Sequence, residues 1–173
     1  ASAAGFKGVE FLFPYDFSIE DVQGAAKSAG VEIALFNLPP GDWEKAERGL
    51  AAMPGREADF AEALDKAISY AVPLGCKRLH MMAGIPGEDA DLARCRTTYV
   101  SNLKYAAPKL ADAGLIGLIE PINTRDIPGY FINYQQDGHD VLANVGADNL
   151  MVQMDFYHVQ IMEGDIAMRF QKH

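Results

Sequence analysis

Cysteine is scarce in this chain. Of 173 residues only Cys76 and Cys95 carry thiols. Two lone thiols with no CxxC pair rule out a disulfide framework and fit a reducing cytoplasm. Positive charge is also short: 15 Lys and Arg stand against 24 Asp and Glu, a net charge of -9. That balance opposes contact with phosphate backbones and anionic membranes, although small anions or metal ions can still bind locally. No apolar run approaches the ~18 residues of a membrane helix, and no signal peptide is visible. A soluble cytoplasmic protein is expected, with neither nucleic acid nor membrane among its partners. Common nucleotide signatures are missing as well. Phe13-Pro14-Tyr15-Asp16 stands where a GxGxxG would follow the first strand, and no GxxxxGK[ST] occurs. There is no GxSxG nucleophile elbow, and neither cysteine stands near a strand end with a histidine base. The first residue is Ala1 rather than Met, which fits a chain that begins inside a longer protein.

What remains is a chain that is 49% hydrophobic, enough for one sizeable core and one domain. Its pattern alternates. Gly8–Phe13 reads as a strand, and Ser18 as the N-cap of a helix over Ile19–Ala29, with Asp21 completing a capping box and Gly30 ending it. Val31–Phe36 is a second strand, followed by the loop Asn37–Asp42. Phe60, Leu64, Ala67, Ala71 and Leu74 recur at three and four, which predicts a helix from Arg56 to Leu74. Arg78–Ala83 is a third strand. Leu92, Cys95, Tyr99, Leu103, Ala106 and Leu110 form the strongest helical stripe. Leu115–Glu120 is a fourth strand, Gln135–Val145 a helix, Leu150–Asp155 a fifth strand, and a last helix opens near Glu163. Pro73 and Pro108 should kink or shorten their helices. The methionines Met81, Met82, Met151, Met154 and Met162 read as core filler.

Strands alternating with helices build βα units and a parallel sheet with right-handed crossovers. Two α/β architectures fit, a doubly wound sheet and a (β/α)8 TIM barrel, and the missing glycine signatures favour the barrel. A barrel needs eight strands and roughly 250 residues, whereas about five parallel βα units are legible here. Residues 1–173 therefore read as an incomplete barrel, lacking the first unit and the last two. Such an open sheet has exposed edges unless a partner, for example another copy of the chain, covers them.

The richest stretch is Gly117–Gly129, GLIEPINTRDIPG. An apolar strand runs straight into Glu120, Pro121 stops it, and Asn123, Arg125 and Asp126 follow in a short loop. Burying an acid costs several kcal/mol unless it is paired, so stability alone gives no reason for Glu120. In a barrel, groups at the C-terminal strand ends converge on one site. Those groups here are Glu10 in mid-strand, Asn37, His80, Glu120 and Asp155, with His158 three residues on. Two carboxylates ending separate strands, backed by Asn and His, suit a hard divalent cation such as Mg²⁺ or Mn²⁺. Other readings stay open. Glu120 could pair with Arg125, Asp155 could cap the next turn, Asn37 could be a turn residue, and His158 could be a packed histidine. The direction of His80 and Glu10 depends on strand register. Arg56 reads as a loop-bracing group, and Trp43 and Tyr15 as walls of a small pocket or as loop anchors.

The blocks GFKGVEFLFPYD (Gly5–Asp16), FNLPPGDWEKAERGL (Phe36–Leu50), MPGRE (Met53–Glu57), LIEPINTRDIPGYF (Leu118–Phe131) and QMDFYHVQIMEGD (Gln153–Asp165) resemble the hydroxypyruvate isomerase family of the xylose isomerase-like TIM barrel superfamily. The closely related 2-oxo-tetronate isomerases share the FLFPY and PGD blocks. The resemblance implies a metal-assisted isomerase that moves a proton between adjacent carbons of a small hydroxy-oxo acid. Hydroxypyruvate and tartronate semialdehyde would interconvert through an enediolate. It also implies roles: Glu120 as metal ligand and catalytic carboxylate, Asp155 as the second ligand, and His158, Asn123 and Arg125 as substrate-binding groups. A third protein ligand and a second catalytic glutamate would come from strands this sequence does not contain. Metal-dependent DNA endonucleases share the superfamily, but they need a His-rich zinc cluster and a cationic groove, against four His and a net charge of -9. A non-catalytic barrel binding protein is the remaining alternative.

Overall fold

A computed structural model describes residues 1–173. Five parallel strands lie side by side: β1 (Gly8–Phe11), β2 (Glu32–Asn37), β3 (Arg78–His80), β4 (Ile116–Ile119) and β5 (Leu150–Val152). Between them run α1 (Ile19–Ala29), α2 (Glu57–Leu74), α3 (Leu92–Asp112) and α4 (Gln135–Val145), and α5 (Phe156–Met162) and α6 (Ile166–Lys172) follow β5. The strand order is 1-2-3-4-5. A doubly wound sheet reverses its order at a switch point, and this one never does. The molecule is thus a run of TIM-barrel wall, in which β1 and β5 each have one neighbour. No helix is long and apolar enough to cross a membrane.

Local chemistry explains the elements. Ser18 Oγ accepts from the Asp21 backbone N–H at 3.1 Å, and Gly30, at φ 65°, closes α1 in the left-handed conformation. The helical stripe on α3 buries Cys95, Tyr99, Leu103, Ala106 and Leu110. Leu92 departs from that expectation at 61% exposed, because the first turn of α3 lies beside the β3 and β4 loops rather than over the sheet. These helices pack on the outer face of the sheet against Phe36, Leu79 and Ile119, which all belong to one buried cluster. Pro73 sits in the final turn of α2, as anticipated. Helix α3, however, runs four residues past Pro108 without ending early, carried by the burial of Ala106, Ala107 and Leu110.

Three further differences matter. β4 and β5 stop short of the acids that follow them. Pro121 has no N–H to extend a ladder, and Asp155 leaves the strand to cap α5, a helix that the sequence pattern did not announce. Met81 and Met82 are core, but Met151 is 47% exposed because β5 is an edge strand. The long segment after β2 folds back over the end of β3. There Ala51 and Ala52 donate to the Met82 and Ala83 carbonyls, and Gly49, at φ 127°, makes an antiparallel bridge to Ala83.

The inner face follows from the period of two along each strand. Leu35 and Asn37 on β2 alternate with the outward Phe36, and register sets Asn37 directly opposite His80. His80 and Met82 then share the inner face with Glu120 and Ile122, and Glu10 on β1 joins them. Parallel pairing in this register aims the polar groups of four strands at one end of the sheet.

Candidate active site

A cavity of about 350 Å³ opens at the C-terminal ends of the strands, and Glu10, Asn37, His80, Glu120, Asp155 and His158 all line it. Trp43 and Gln153 contribute further walls, and no Lys or Arg reaches the lining. A larger cavity of about 590 Å³ lies between β1 and α1, but Asp21 is its one charged group, and it offers no chemistry.

Glu120 follows directly on β4 and is buried. Gln153 Nε2 donates to its Oε1 at 3.2 Å. Burial above all, then the nearby charges of Asp155 and Glu10, push its carboxyl up to about 8. The sequence left open a pairing with Arg125, and no such pair forms. Arg125 is exposed in the loop after β4 and lies outside the cavity lining.

His80 ends β3, fully enclosed, with Nδ1 3.0 Å from Asn37 Oδ1 and Nε2 without a partner. Burial, then the neighbouring His158, pushes its imidazole down to about 3. The ring is therefore neutral at ordinary pH, and its 3.7 Å approach to Glu120 Oε2 is a dipolar contact rather than an ion pair. Asn37, read from sequence as a turn residue, instead ends β2. It contributes its amide to His80 and its carbonyl to the Tyr15 hydroxyl at 2.7 Å.

Asp155 has both of the roles the sequence allowed. Oδ1 accepts from the Tyr157 backbone N–H at 2.7 Å, capping α5, while Oδ2 lies 3.8 Å from His158 Nε2. His158, one turn into that helix, brings Nε2 to 3.9 Å from Glu120 Oε1. Asn123 is completely enclosed and holds His158 through Nδ2, 2.7 Å from the imidazole Nδ1. Of the groups named from sequence, Glu120, Asp155, His158 and Asn123 thus meet at one place, and Arg125 does not. Gln153 did not stand out in the sequence, although its position two residues before Asp155, and hence on the same face as that acid, was a readable signal.

Glu120, Asp155 and His158 each offer a ligand atom, all within 4.8 Å of one another. The surroundings fit a divalent cation. Three carboxylates, counting Glu10, face one cavity with no Lys or Arg to balance them, and their repulsion adds to the burial that raises the Glu120 carboxyl.

Known proteins share this arrangement of chain. The 2-oxo-tetronate isomerase of Cupriavidus necator is 53% identical over 172 residues, covering 99% of this chain. The hydroxypyruvate isomerase of Escherichia coli is 42% identical over 167 residues, covering 96%. The chain spans 66% and 65% of the lengths of these two relatives. The crystal structure of an AP endonuclease, family 2, from Brucella melitensis superposes with a TM-score of 0.95 at 46% identity, covering 99% of this chain and 66% of that one. The family described as xylose isomerase-like TIM barrel matches residues 1–172. With sequential parallel strands beneath a match of that extent, the chain belongs to the xylose isomerase-like TIM barrel family.

Proposed function

We propose that the protein is a divalent-metal isomerase of small hydroxy-oxo acids, interconverting hydroxypyruvate and tartronate semialdehyde or acting on the homologous 2-oxo-tetronates. The observation that carries this reading is the convergence of Glu120, Asp155 and His158 within 4.8 Å at the strand ends of the barrel wall. The names of the relatives support the substrate class: one is a 2-oxo-tetronate isomerase and another a hydroxypyruvate isomerase.

Glu120 and Asp155 would hold the ion, and hard oxygen donors favour Mg²⁺ or Mn²⁺. A bound divalent ion would supply positive charge where oxygen becomes negative as the proton leaves carbon. Glu120 removes a proton from the hydroxymethyl carbon of hydroxypyruvate, leaving an enediolate; a proton then returns to the adjacent carbon while the hydroxyl proton passes to the former carbonyl oxygen, which gives the aldehyde. Its carboxyl is raised in the metal-free site, and a bound ion would lower it and favour the carboxylate form that takes the proton. Gln153, donating at 3.2 Å, orients the carboxylate. His158 faces the substrate oxygens, and Asn123 holds its imidazole from behind. We assign the second catalytic carboxylate and the remaining ligands to the part of the relatives' length that this chain does not span. Buried, unpaired Cys76 and Cys95 support a reducing, cytoplasmic setting.

DNA cleavage is the weaker reading, although the Brucella protein is named as an endonuclease. A cavity lined by three carboxylates and no Lys or Arg, on a chain of net charge -9, repels a phosphate backbone.

The test is Glu120→Gln in the full-length protein. Turnover should fall by about 10³-fold or more, within the range for losing a general base, while the circular dichroism spectrum stays unchanged. Unchanged turnover would sink the assignment.

A further inference from the structure

The contacts around His158 fix more than its position. Its Nδ1 lies 3.4 Å from the backbone N–H of Asn123 and 2.7 Å from the Nδ2 of the same residue. A backbone N–H can only donate. The side-chain amide is oriented by its own neighbours: Oδ1 accepts from the backbone N–H groups of Arg125 and Asp126, each at 2.9 Å, and Nδ2 donates to Asp126 Oδ2 at 3.0 Å. Reversing the amide would set an oxygen against the Asp126 carboxylate and an NH₂ against two N–H groups. Both groups facing Nδ1 are therefore donors, and Nδ1 must be the acceptor. A neutral imidazole has one N–H, so the proton sits on Nε2.

Nε2 is the nitrogen that faces the carboxylates, 3.9 Å from Glu120 Oε1 and 3.8 Å from Asp155 Oδ2. Both distances exceed a direct hydrogen bond, so Nε2 donates to neither carboxylate and is free to donate to a group in the cavity. For Nε2 to ligate a metal its proton would have to move to Nδ1, where it would point at the two Asn123 donors. We propose that Asn123 is a positioning residue that locks His158 in the Nε2–H tautomer, so that the imidazole keeps the donor form its substrate-side role requires, with or without a bound ion. The inference rests on the isomerase reading for that substrate-side role. The tautomer itself is independent of it.

The measurement is a long-range ¹H–¹⁵N correlation spectrum of the full-length protein labelled at histidine, with His158 assigned by its disappearance in His158→Gln. The Nδ1 signal should be that of an unprotonated nitrogen and Nε2 that of an N–H, and adding Mg²⁺ should leave Nε2 protonated. Asn123→Asp keeps the oxygen that receives the Arg125 and Asp126 N–H groups but replaces the Nδ2 donor by an acceptor. In that variant Nδ1 should become protonated, and turnover should fall tenfold or more while thermal stabilisation by Mg²⁺ persists. A wild-type spectrum with the proton on Nδ1, or loss of the Nε2 proton on adding Mg²⁺, would overturn the proposal even if the variant fails to fold. An unaltered His158 spectrum in folded Asn123→Asp would overturn it too. Because the spectrum needs no turnover, an inactive protein with the Nε2–H tautomer would contradict the isomerase reading and leave this one standing.

Discussion

Glu120 joins stability and chemistry in one side chain. Its carboxyl is raised from 4.5 to about 8 in the folded protein, so between those values the native state holds a proton that the unfolded chain has released. This contribution is fully present below pH ~4.5 and is lost as pH rises through about 8. His80 acts in the opposite sense. Depressed from 6.5 to about 3, it is neutral in the fold, and its contribution is lost as pH falls from 6.5 toward 3. Chemical denaturation of metal-free protein from pH 6.5 to 9 should therefore show stability falling, and Glu120→Gln should flatten that fall. An equally steep fall in the variant would assign it to other groups. Asp155 separates into its two oxygens. Asp155→Asn keeps the cap on Tyr157 N–H but removes charge, so Mg²⁺ affinity should fall about tenfold or more with little change in melting temperature. Asp155→Ala should lose the cap as well, adding about 1 kcal/mol of destabilisation. Equal melting temperatures for the two variants would show that the cap contributes nothing.

The elements were legible where one rule acted alone. α1 begins and ends as its caps dictate, α4 spans the expected Gln135–Val145, and the sheet-facing sides of α2 and α3 are the stripes visible in sequence. The misreadings lie where two rules compete. Asp155 is both a strand-following acid and an N-cap, and the cap wins, ending β5 early and starting α5. Asn37 precedes Pro39-Pro40 and looks like a turn, yet its register with His80 buries it in the cavity. Register is a property of the paired strands, not of either sequence. The segment after β2 was similarly opaque, because its fold depends on the β3 backbone. Gly49 marks the point of closest approach: a Cβ there would lie 2.2 Å from the Met82 carbonyl oxygen, at a φ of 127°. Gly49→Ala should cost roughly 1–3 kcal/mol and loosen Trp43 at the cavity wall, read by urea denaturation and by the fluorescence of that single tryptophan. A variant as stable as wild type would mean the segment can move without loss.

At the scale of the molecule, the barrel was legible from alternation and missing glycine motifs, and strand order decided it. The site was half legible. Strand-end acids stand out in a linear sequence, whereas Gln153, the His80–Asn37 pair and the hold of Asn123 on His158 exist only once strands and helices are assembled. Separate strands bring Glu10, Glu120 and Asp155 to one cavity, and the charge concentrated there is what a divalent ion relieves. Binding to the folded state alone should raise stability by about 2.7 kcal/mol at a hundred times Kd. The most direct test of the whole assignment is turnover by the full-length protein, assayed with hydroxypyruvate and with a 2-oxo-tetronate, after chelation and after restoring Mn²⁺. Isomerisation of one or both that disappears with chelator and returns with Mn²⁺ is the expected result. Turnover indifferent to chelation, or none on either acid with Mn²⁺ present, would contradict it.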